Sequence, residues 1–160
     1  MSQNTIREQK MLLALMVALN KNYTRISGAP KEWDAVDLGT GEKLEIKSCK
    51  VENCSWVVHP RSILINKAWV FGAWRNVSKD PYVIEEELDH FLYIPSQNTY
   101  ELQSYLSDRF DKHLAKNPKN DGIVITEKQI KNLFKGRDIT AVYFLEMDEN
   151  EFPGLEYAIV

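Results

Sequence analysis

The sequence has few of the residues that build metal centres and disulfide scaffolds. Its 160 residues include two cysteines, Cys49 and Cys54, and three histidines. The cysteines lack a zinc-finger spacing, and no second Cys or His pair follows them. A disulfide framework is therefore excluded, and both cysteines are predicted to be packing residues. His59, His90 and His113 show no helical HxxxH spacing, so we expect them to lie at the surface or to make hydrogen bonds.

Long hydrophobic runs are also missing. The most apolar stretch, KMLLALMVAL at residues 10–19, is shorter than the roughly 20 residues that span a bilayer. A polar, charged segment precedes it, and no small-residue cleavage site follows, so the pattern of a signal peptide is absent. We therefore expect a cytoplasmic protein with no membrane partner. The length and a hydrophobic content of 44% predict one domain over residues 1–160.

Neither sign of charge dominates the chain. The formal net charge of −3 does not by itself indicate a nucleic-acid-binding protein. The distribution is uneven, however, because residues 43–79 and 112–137 each carry seven Lys or Arg against two acidic residues, whereas acid is concentrated at 85–89 and 146–156. This segregation is typical of a phosphate-facing surface with an acidic back, and a merely patchy surface explains it nearly as well.

The hydrophobic periodicity predicts an α+β fold, with a central mixed β-sheet flanked by helices. Thr5 is the expected N-cap of the first helix, with Glu8 as its capping-box partner, and Leu13 and Val17 are expected to widen the buried stripe of that helix. Residues 51–62 are expected to be irregular. The predicted helices cover about 5–22, 98–114 and 126–134, and the predicted strands lie within 33–50, 68–74, 82–94 and 139–146.

The sequence predicts a β-hairpin at residues 33–50, WDAVDLGTGEKLEIKSCK. In its second strand Leu44 and Ile46 point to one face, and Glu45 and Lys47 point to the other, because side chains alternate along a strand. A carboxylate and an ammonium therefore share one face of the hairpin.

The register of the hairpin decides which aspartate joins them. A two-residue loop at 39–40 places Asp34 opposite Glu45, and a loop one residue later places Asp34 opposite Lys47. A three-residue loop would bring Asp37 to this face instead. Two-residue turns are the commonest, but the residues alone leave all three registers open.

Two carboxylates and a lysine on one sheet face suit a divalent metal with a cation beside it. Mg²⁺ binds one or two carboxylates together with waters and substrate phosphate oxygens, so phosphodiester chemistry is the matching activity. The alternative is a solvated hairpin face on which Glu45 and Lys47 make ordinary cross-strand pairs. Glu8 is most simply the cap partner of the first helix, and a second possibility places it near the metal.

DAVD followed by LEIKS resembles the active-site hairpin of the PD-(D/E)xK nuclease superfamily. The surrounding order is similar to type II restriction endonucleases of the PvuII kind over roughly Lys10 to Arg137. The order begins with the apolar helix, the hairpin and a polar loop that contains His-Pro. The aromatic strand WVFGAW, the segment YVIEEELDHFLYIP, a second helix and the segment IVITEKQIKNLFKG follow. The resemblance implies a restriction-endonuclease-like core and a Mg²⁺-dependent, sequence-specific double-stranded DNA endonuclease.

The same resemblance assigns roles to the residues of the hairpin. Asp34 matches the first aspartate of the motif, and Glu45 and Lys47 match its E-x-K pair, so these three are the expected catalytic residues. Asp34, Glu45 and the backbone carbonyl of Ile46 are the expected Mg²⁺ ligands, with Glu8 as a further candidate. Lys47 is expected beside the attacking water, where an ammonium and a metal together stabilise hydroxide.

The expected DNA contacts follow the hairpin, where this chain departs from the family pattern. The loop before Pro60 is shorter here, and the histidine cluster that reads the major groove in the family is absent. We also expect the chain to lack, before its first helix, the longer segment that such enzymes use for dimer contacts. The DNA-contacting candidates on this segment are Ser48, Lys50, Ser55, Trp56, Val57, His59 and Arg61.

Cutting both strands of a palindromic site requires two active sites related by a twofold axis, so a homodimer is expected. Two alternatives stay open at this stage. A homing endonuclease would use the same chemistry on a longer target, and a non-catalytic α+β DNA-binding module would carry the three hairpin residues only as surface groups.

Overall fold

The chain builds its fold from strands that are buried on both faces and helices that cover them. A computed structural model describes residues 2–26, 33–59, 66–116, 122–134, 140–144 and 155–159. The helices in these ranges are α1 (Gln3–Leu19), α2 (Tyr100–Lys116) and α3 (Glu127–Leu133). The strands are β1 (Thr24–Arg25), β2 (Ala35–Val36), β3 (Lys43–Lys50), β4 (Ser55–Val58), β5 (Ala68–Asn76), β6 (Glu86–Ile94), β7 (Ile123–Thr126), β8 (Thr140–Phe144) and β9 (Leu155–Ile159).

Seven of these strands form one mixed sheet in the order β1-β2-β3-β5-β6-β8-β9. The β3–β5 pair is parallel, and the other neighbours are antiparallel. Strands β4 and β7 form a separate antiparallel pair. The predicted α+β class with a mixed central sheet and flanking helices is therefore confirmed, whereas the restriction-endonuclease-like core stays a prediction.

Strand β5 lies at the centre of the sheet and has both faces covered. Trp69 and Phe71 pack with α2, α3 and the β4–β7 pair, whereas Val70 and Trp74 pack with α1. A strand buried on both faces has a continuous apolar sequence, which explains the run AWVFGAW. Gly72 allows α1 to approach closely, because a Cβ at this position would overlap the Cε atom of the α1 residue Met11.

The first helix begins earlier than predicted. The N-cap is Ser2, whose Oγ accepts a hydrogen bond from the Thr5 N–H at 3.2 Å, so Thr5 is the third helical residue and not the cap. Glu8 consequently is not a capping-box partner. The prediction that Leu13 and Val17 widen the buried stripe is also wrong, since they are 57% and 42% exposed. The fully buried side of the helix consists of Glu8, Met11, Ala14 and Leu15.

Strand β4 appears where irregular structure was predicted. It lies within residues 51–62, and its alternation is that of a strand, since Trp56 and Val58 are buried and Val57 is exposed. β9 lies beyond the last predicted strand, at Leu155–Ile159. The partner of β4 is β7, about 70 residues away, so no local turn signal marks the pair. None of the helices in the described ranges is long and apolar enough to span a bilayer.

Glu86 connects α1 to the start of β6. Arg7 holds its carboxylate with two hydrogen bonds, Nε to Oε1 at 2.8 Å and Nη2 to Oε2 at 2.7 Å. The Lys10 ammonium donates to the Glu86 carbonyl at 2.6 Å. The hydrogen bond from Arg7 lowers the pKa of the Glu86 carboxyl. The three glutamates at 85–87 are therefore not all in solvent, because the central one, Glu86, is buried.

We expect Glu86→Ala to lower the free energy of unfolding by about 2–3 kcal/mol, since it leaves the half-buried Arg7 guanidinium without its carboxylate. Glu87→Ala is the matched control, because Glu87 is exposed and makes a surface ion pair with Arg75. This control should change stability by less than about 0.5 kcal/mol in urea unfolding. Equal losses in the two variants would contradict the anchoring role of Glu86.

Candidate functional site

The hairpin adopts the first of the three registers considered from sequence. Ala35 pairs with Leu44 and Val36 pairs with Lys43, which brings Asp34 opposite Glu45. The registers that place Asp34 opposite Lys47, or bring Asp37 to the same face, are therefore wrong.

The loop that sets this register is longer than the predicted two residues. Asp37 N–H donates to the Glu42 carbonyl at 2.8 Å, which leaves four residues, 38–41, in the loop. The Asp37 side chain accepts hydrogen bonds from the backbone N–H groups of Gly39 and Thr40 at 2.8 and 3.3 Å. Gly41 closes the loop with φ of +77°, a conformation that favours glycine. The register is the same as for the predicted two-residue loop at 39–40, because the observed loop adds one residue on each side of it.

Glu42 anchors the hairpin to the rest of the sheet. Its carboxylate accepts hydrogen bonds from the Tyr23 hydroxyl, from Tyr93 Oη at 3.1 Å and from Ser96 Oγ at 2.6 Å. Although burial works in the opposite direction, these hydrogen bonds together lower the pKa of the Glu42 carboxyl. The hairpin therefore has a fixed position against β6.

Asp34 directly precedes β2, and its side chain continues the ladder to β3. Its Oδ2 atom accepts a hydrogen bond from the Ile46 backbone N–H at 2.7 Å. The N–H and C=O of one residue in an extended strand point toward the same neighbour, so the Ile46 carbonyl also points toward the edge occupied by Asp34. The two expected ligand groups thus lie on one edge of β3.

The charges of two other carboxylates affect the ionisation of Asp34 at this edge. Glu45 and Glu8 are both buried, the first on β3 and the second on α1. Burial raises the pKa of Asp34 to about 7, with a further contribution from the charges of Glu45 and Glu8 and an opposing one from the Ile46 N–H. A carboxyl with this pKa is only partly ionised at neutral pH, so the cluster favours binding of a cation or a proton.

Two lysines contact the Glu45 carboxylate. Lys47 Nζ lies 3.5 Å from its Oε1, and Lys67 Nζ lies 3.5 Å from its Oε2. Lys67 is 0% exposed and lies over the Trp69 ring at 5.2 Å. Burial lowers the pKa of Lys67, and the Glu45 carboxylate opposes this effect. Glu45 is therefore held in a defined orientation by one half-buried and one fully buried ammonium.

Sequence reasoning missed Lys67 because only the parallel β3–β5 pairing brings it to Glu45. Residue 67 directly precedes β5, whose first residue, Ala68, is aligned with Leu44. The signal available in the sequence was a lysine at the start of the most apolar strand, which is an unusual environment for a charge.

Glu8 reaches the cluster from α1. Arg25 on β1 holds it through an Nε–Oε2 ion pair of 2.7 Å, and Asn4 Nδ2 donates to its Oε1 at 3.4 Å. The second possibility from sequence, a location near the expected metal ligands, therefore matches its position better than the capping role. Arg25 is a further residue of this edge that sequence reasoning did not identify.

The donor set fits a hard divalent cation. Asp34, Glu45, Glu8 and the Ile46 carbonyl offer only oxygen atoms, the ligands that Mg²⁺ prefers. Burial, and after it the charge of Glu45, raises the pKa of Asp34, and a dication bound there would favour the ionised carboxylate. Magnesium binding by these groups is therefore chemically reasonable and remains a prediction.

The expected DNA contacts on β3 lie away from this face. Ser48 Oγ accepts a hydrogen bond from the buried Trp74 Nε1 at 3.2 Å, on the side of the sheet covered by α1. Lys50 is exposed at the end of the strand and stays accessible to a phosphate. Arg61 falls outside the described residues.

Among the candidates on β4, Trp56 is not available to DNA. Its ring is 1% exposed, packs edge-on against Phe71 and donates a hydrogen bond to the Gly72 carbonyl at 2.9 Å. The expectation that Trp56 contacts DNA is therefore wrong, because alternation along β4 turns it into the core. Val57 is 53% exposed on the outer side of the same strand. Ser55 and His59 are half-buried.

No model of a known protein family matches this chain, and no curated protein matches it.

We expect the stability of the metal-free protein to depend on the ionisation of Asp34. Its pKa is about 7 in the folded state, against 3.8 for an unperturbed aspartate. A raised carboxyl pKa contributes stability that is complete below pH 3.8 and is lost as the pH rises through about 7. Asp34→Asn should lack this dependence and be more stable than the parent by about 2 kcal/mol at pH 8.

Urea unfolding from pH 4 to 8 in the presence of a chelator measures this effect. Asp108→Asn, on the exposed side of α2, is the control and should follow the parent protein at every pH. A parallel pH profile for Asp34→Asn and the parent would contradict the burial of Asp34 among the carboxylates.

Proposed function

We propose that this protein is a Mg²⁺-dependent, sequence-specific double-stranded DNA endonuclease of the type II restriction kind. The observation that carries the proposal is the arrangement of Asp34, Glu45 and the Ile46 carbonyl at one edge of β3, with Lys47 beside Glu45. The same residues match the PD-(D/E)xK motif. A hairpin with only cross-strand surface pairs would not require a buried carboxylate next to a fully buried lysine.

Each charged residue of the edge has a role in the proposed hydrolysis. A bound Mg²⁺ would supply a water of lowered pKa and a positive charge near the scissile phosphate. The Lys47 ammonium stabilises negative charge on the attacking oxygen and on the transition state. Lys67 is a positioning residue, because its contact with Glu45 Oε2 fixes the orientation of that carboxylate. Arg25 positions Glu8 in the same way.

The β4–β7 pair supplies a surface that suits a DNA groove. It packs on the face of the central sheet that carries Glu45 and Lys47, since its inward residues share a core with Trp69 and Phe71. Its outward side exposes Val57 and the cross-strand partner Val124, and a two-stranded ribbon fits the major groove of B-DNA. We propose this outward surface as the DNA-contacting side.

The proposed cleavage of both strands requires two such edges, so the proposal includes a cytoplasmic homodimer that binds palindromic DNA. Light scattering at micromolar protein should give twice the mass of one chain. A monomer both with and without DNA would contradict this part of the proposal.

Purified protein should cut plasmid DNA into discrete fragments in the presence of Mg²⁺. Asp34→Ala and Lys47→Ala should each lower the cleavage rate by at least about 1,000-fold, because one removes a metal ligand and the other the cation at the attacking oxygen. Both variants should keep the circular dichroism spectrum of the parent. The rates are measured by gel electrophoresis of the fragments.

Glu52→Gln is the matched control, because Glu52 lies on the exposed turn after β3. This variant should cleave DNA at the parent rate. Full activity of Asp34→Ala or Lys47→Ala would show that the substituted residue has no catalytic role. A single rare cut would favour a homing enzyme, and binding without cleavage in Mg²⁺ or Mn²⁺ would favour a non-catalytic module.

Val57→Glu should weaken DNA binding by about tenfold at low salt, because it places a negative charge on the surface proposed to face the phosphates. Gel-shift titration with Ca²⁺ in place of Mg²⁺ measures binding without cleavage. Val83→Glu is the control, since Val83 is similarly exposed in the turn between β5 and β6. Unchanged binding by Val57→Glu would remove the β4–β7 surface from the interface.

A further inference from the structure

A second group of ligand-type side chains lies away from the carboxylate edge. A sulfur of Cys54, a ring nitrogen of His90 and a carboxylate oxygen of Glu127 all lie within 4.8 Å of one another. His90 is buried, whereas Cys54 and Glu127 are half-buried, so solvent reaches two of the three groups. These donors are sulfur, nitrogen and oxygen, unlike the all-oxygen set around Asp34.

The β4–β7 pairing brings Cys54 and Glu127 together. Ser55 is aligned with Thr126, so the residue before β4 and the residue after β7 face each other across the pair. Glu127 N–H donates to the Cys54 carbonyl at 3.0 Å and fixes the two backbones. Thr126 caps α3 in a capping box with Gln129, which holds Glu127 at the first position of that helix.

His90 is supplied by the central sheet at a bulge in β6. Its ladder partner is Ala73, whereas the next pair joins Leu88 to Trp74, so Asp89 is the extra residue. A bulge re-aims neighbouring side chains, and here the Asp89 carboxylate contacts the ring of the next residue. The distance from Asp89 Oδ2 to His90 Nδ1 is 2.6 Å.

The other contacts of this cluster resemble the outer shell of a metal site. Arg75 Nη1 holds the Asp89 carboxylate at 3.0 Å, and Asp89 in turn orients the His90 ring. A carboxylate on one nitrogen of an imidazole leaves the other nitrogen as the ligand, an arrangement common to metal-binding histidines. That other nitrogen, Nε2, points toward the Glu127 carboxylate. Lys131 Nζ lies 3.7 Å from the second oxygen of Glu127.

We propose that Cys54, His90 and Glu127 bind a divalent transition-metal ion, of which Zn²⁺ is the expected one. A thiolate and an imidazole select zinc over magnesium, and three protein ligands leave one tetrahedral position for a water. Binding releases two protons to solvent, the Cys54 thiol proton and the proton between His90 Nε2 and Glu127, and it replaces the hydrogen bond of 3.0 Å that Sγ makes to the Val51 carbonyl. The thiolate and the carboxylate each contribute one negative charge and the neutral imidazole none, so they balance the dication and the centre is neutral.

The proposed ion has a structural role in this fold. His90 belongs to the seven-stranded sheet, whereas Cys54 and Glu127 flank the β4–β7 pair. One ion bound by all three therefore joins the two sheets at a point where no backbone ladder joins them. The three ligands come from segments 36 and 37 residues apart in sequence, a separation that does not form a local zinc motif.

Cobalt titration of untagged, chelator-treated protein tests the site directly. One equivalent of Co²⁺ should give the thiolate-to-cobalt charge-transfer band, and Zn²⁺ should remove the band by displacement. Cys54→Ser should abolish it, and Glu127→Gln should weaken Zn²⁺ binding by about 100-fold. Saturating Zn²⁺ should raise the Tm of the parent by roughly 5–10 °C when free zinc is about a hundred times its Kd.

Two controls separate this site from the rest of the chain. Cys49→Ala removes the other thiol, which is buried on β3, and should keep the band. Asp34→Ala alters the proposed magnesium site and should also keep it. Absence of the band in folded parent protein, or an undiminished band in Cys54→Ser, would overturn the proposal and leave a metal-free hydrogen-bond network around His90.

Discussion

The hydrogen bond from the Ile46 N–H to the Asp34 carboxylate is the interaction on which the carboxylate edge depends. It extends the ladder beyond the first residue of β2, and so it holds a titratable side chain in the plane of the sheet. From that plane Asp34 is accessible to Glu45 on one side and to Glu8 from the covering helix. The cost of bringing three carboxylates together is offset by Lys47, Lys67 and Arg25, which contact Glu45 and Glu8 from different elements.

Local patterns predicted the part of this edge that lies within one hairpin. Alternation along β3 placed Glu45 and Lys47 on one face, because it depends only on neighbouring residues. The residues left three registers open, and only the resemblance to the nuclease motif selected Asp34, which the structure places opposite Glu45. The expected two-residue loop was wrong, since the Asp37 side chain and Gly41 stabilise a wider turn with the same centre.

Features that depend on distant pairing were not predictable in this way. Lys67 contacts Glu45 only through the parallel β3–β5 pair, and β4 is a strand only because β7 is available to it. The first helix shows the same difficulty on a smaller scale. Ser2 and Thr5 both fit an N-cap by residue type, and the accepted hydrogen bond at Ser2 decides between them.

The absence of a side chain at Gly72 links the interior of the central strand to the charged edge. The terminal methyl group of Met11 occupies the space that a Cβ would fill, so this side chain of α1 packs directly on the strand. Glu8 is one helical turn before Met11 on the same helix and would move with it. A small side chain at position 72 would first displace the flexible end of Met11, and only one too large for that adjustment would press on the helix that carries Glu8. Small and large substitutions at this interior position would therefore differ in kind, since the first repacks one methionine and the second displaces a carboxylate that the new side chain never touches.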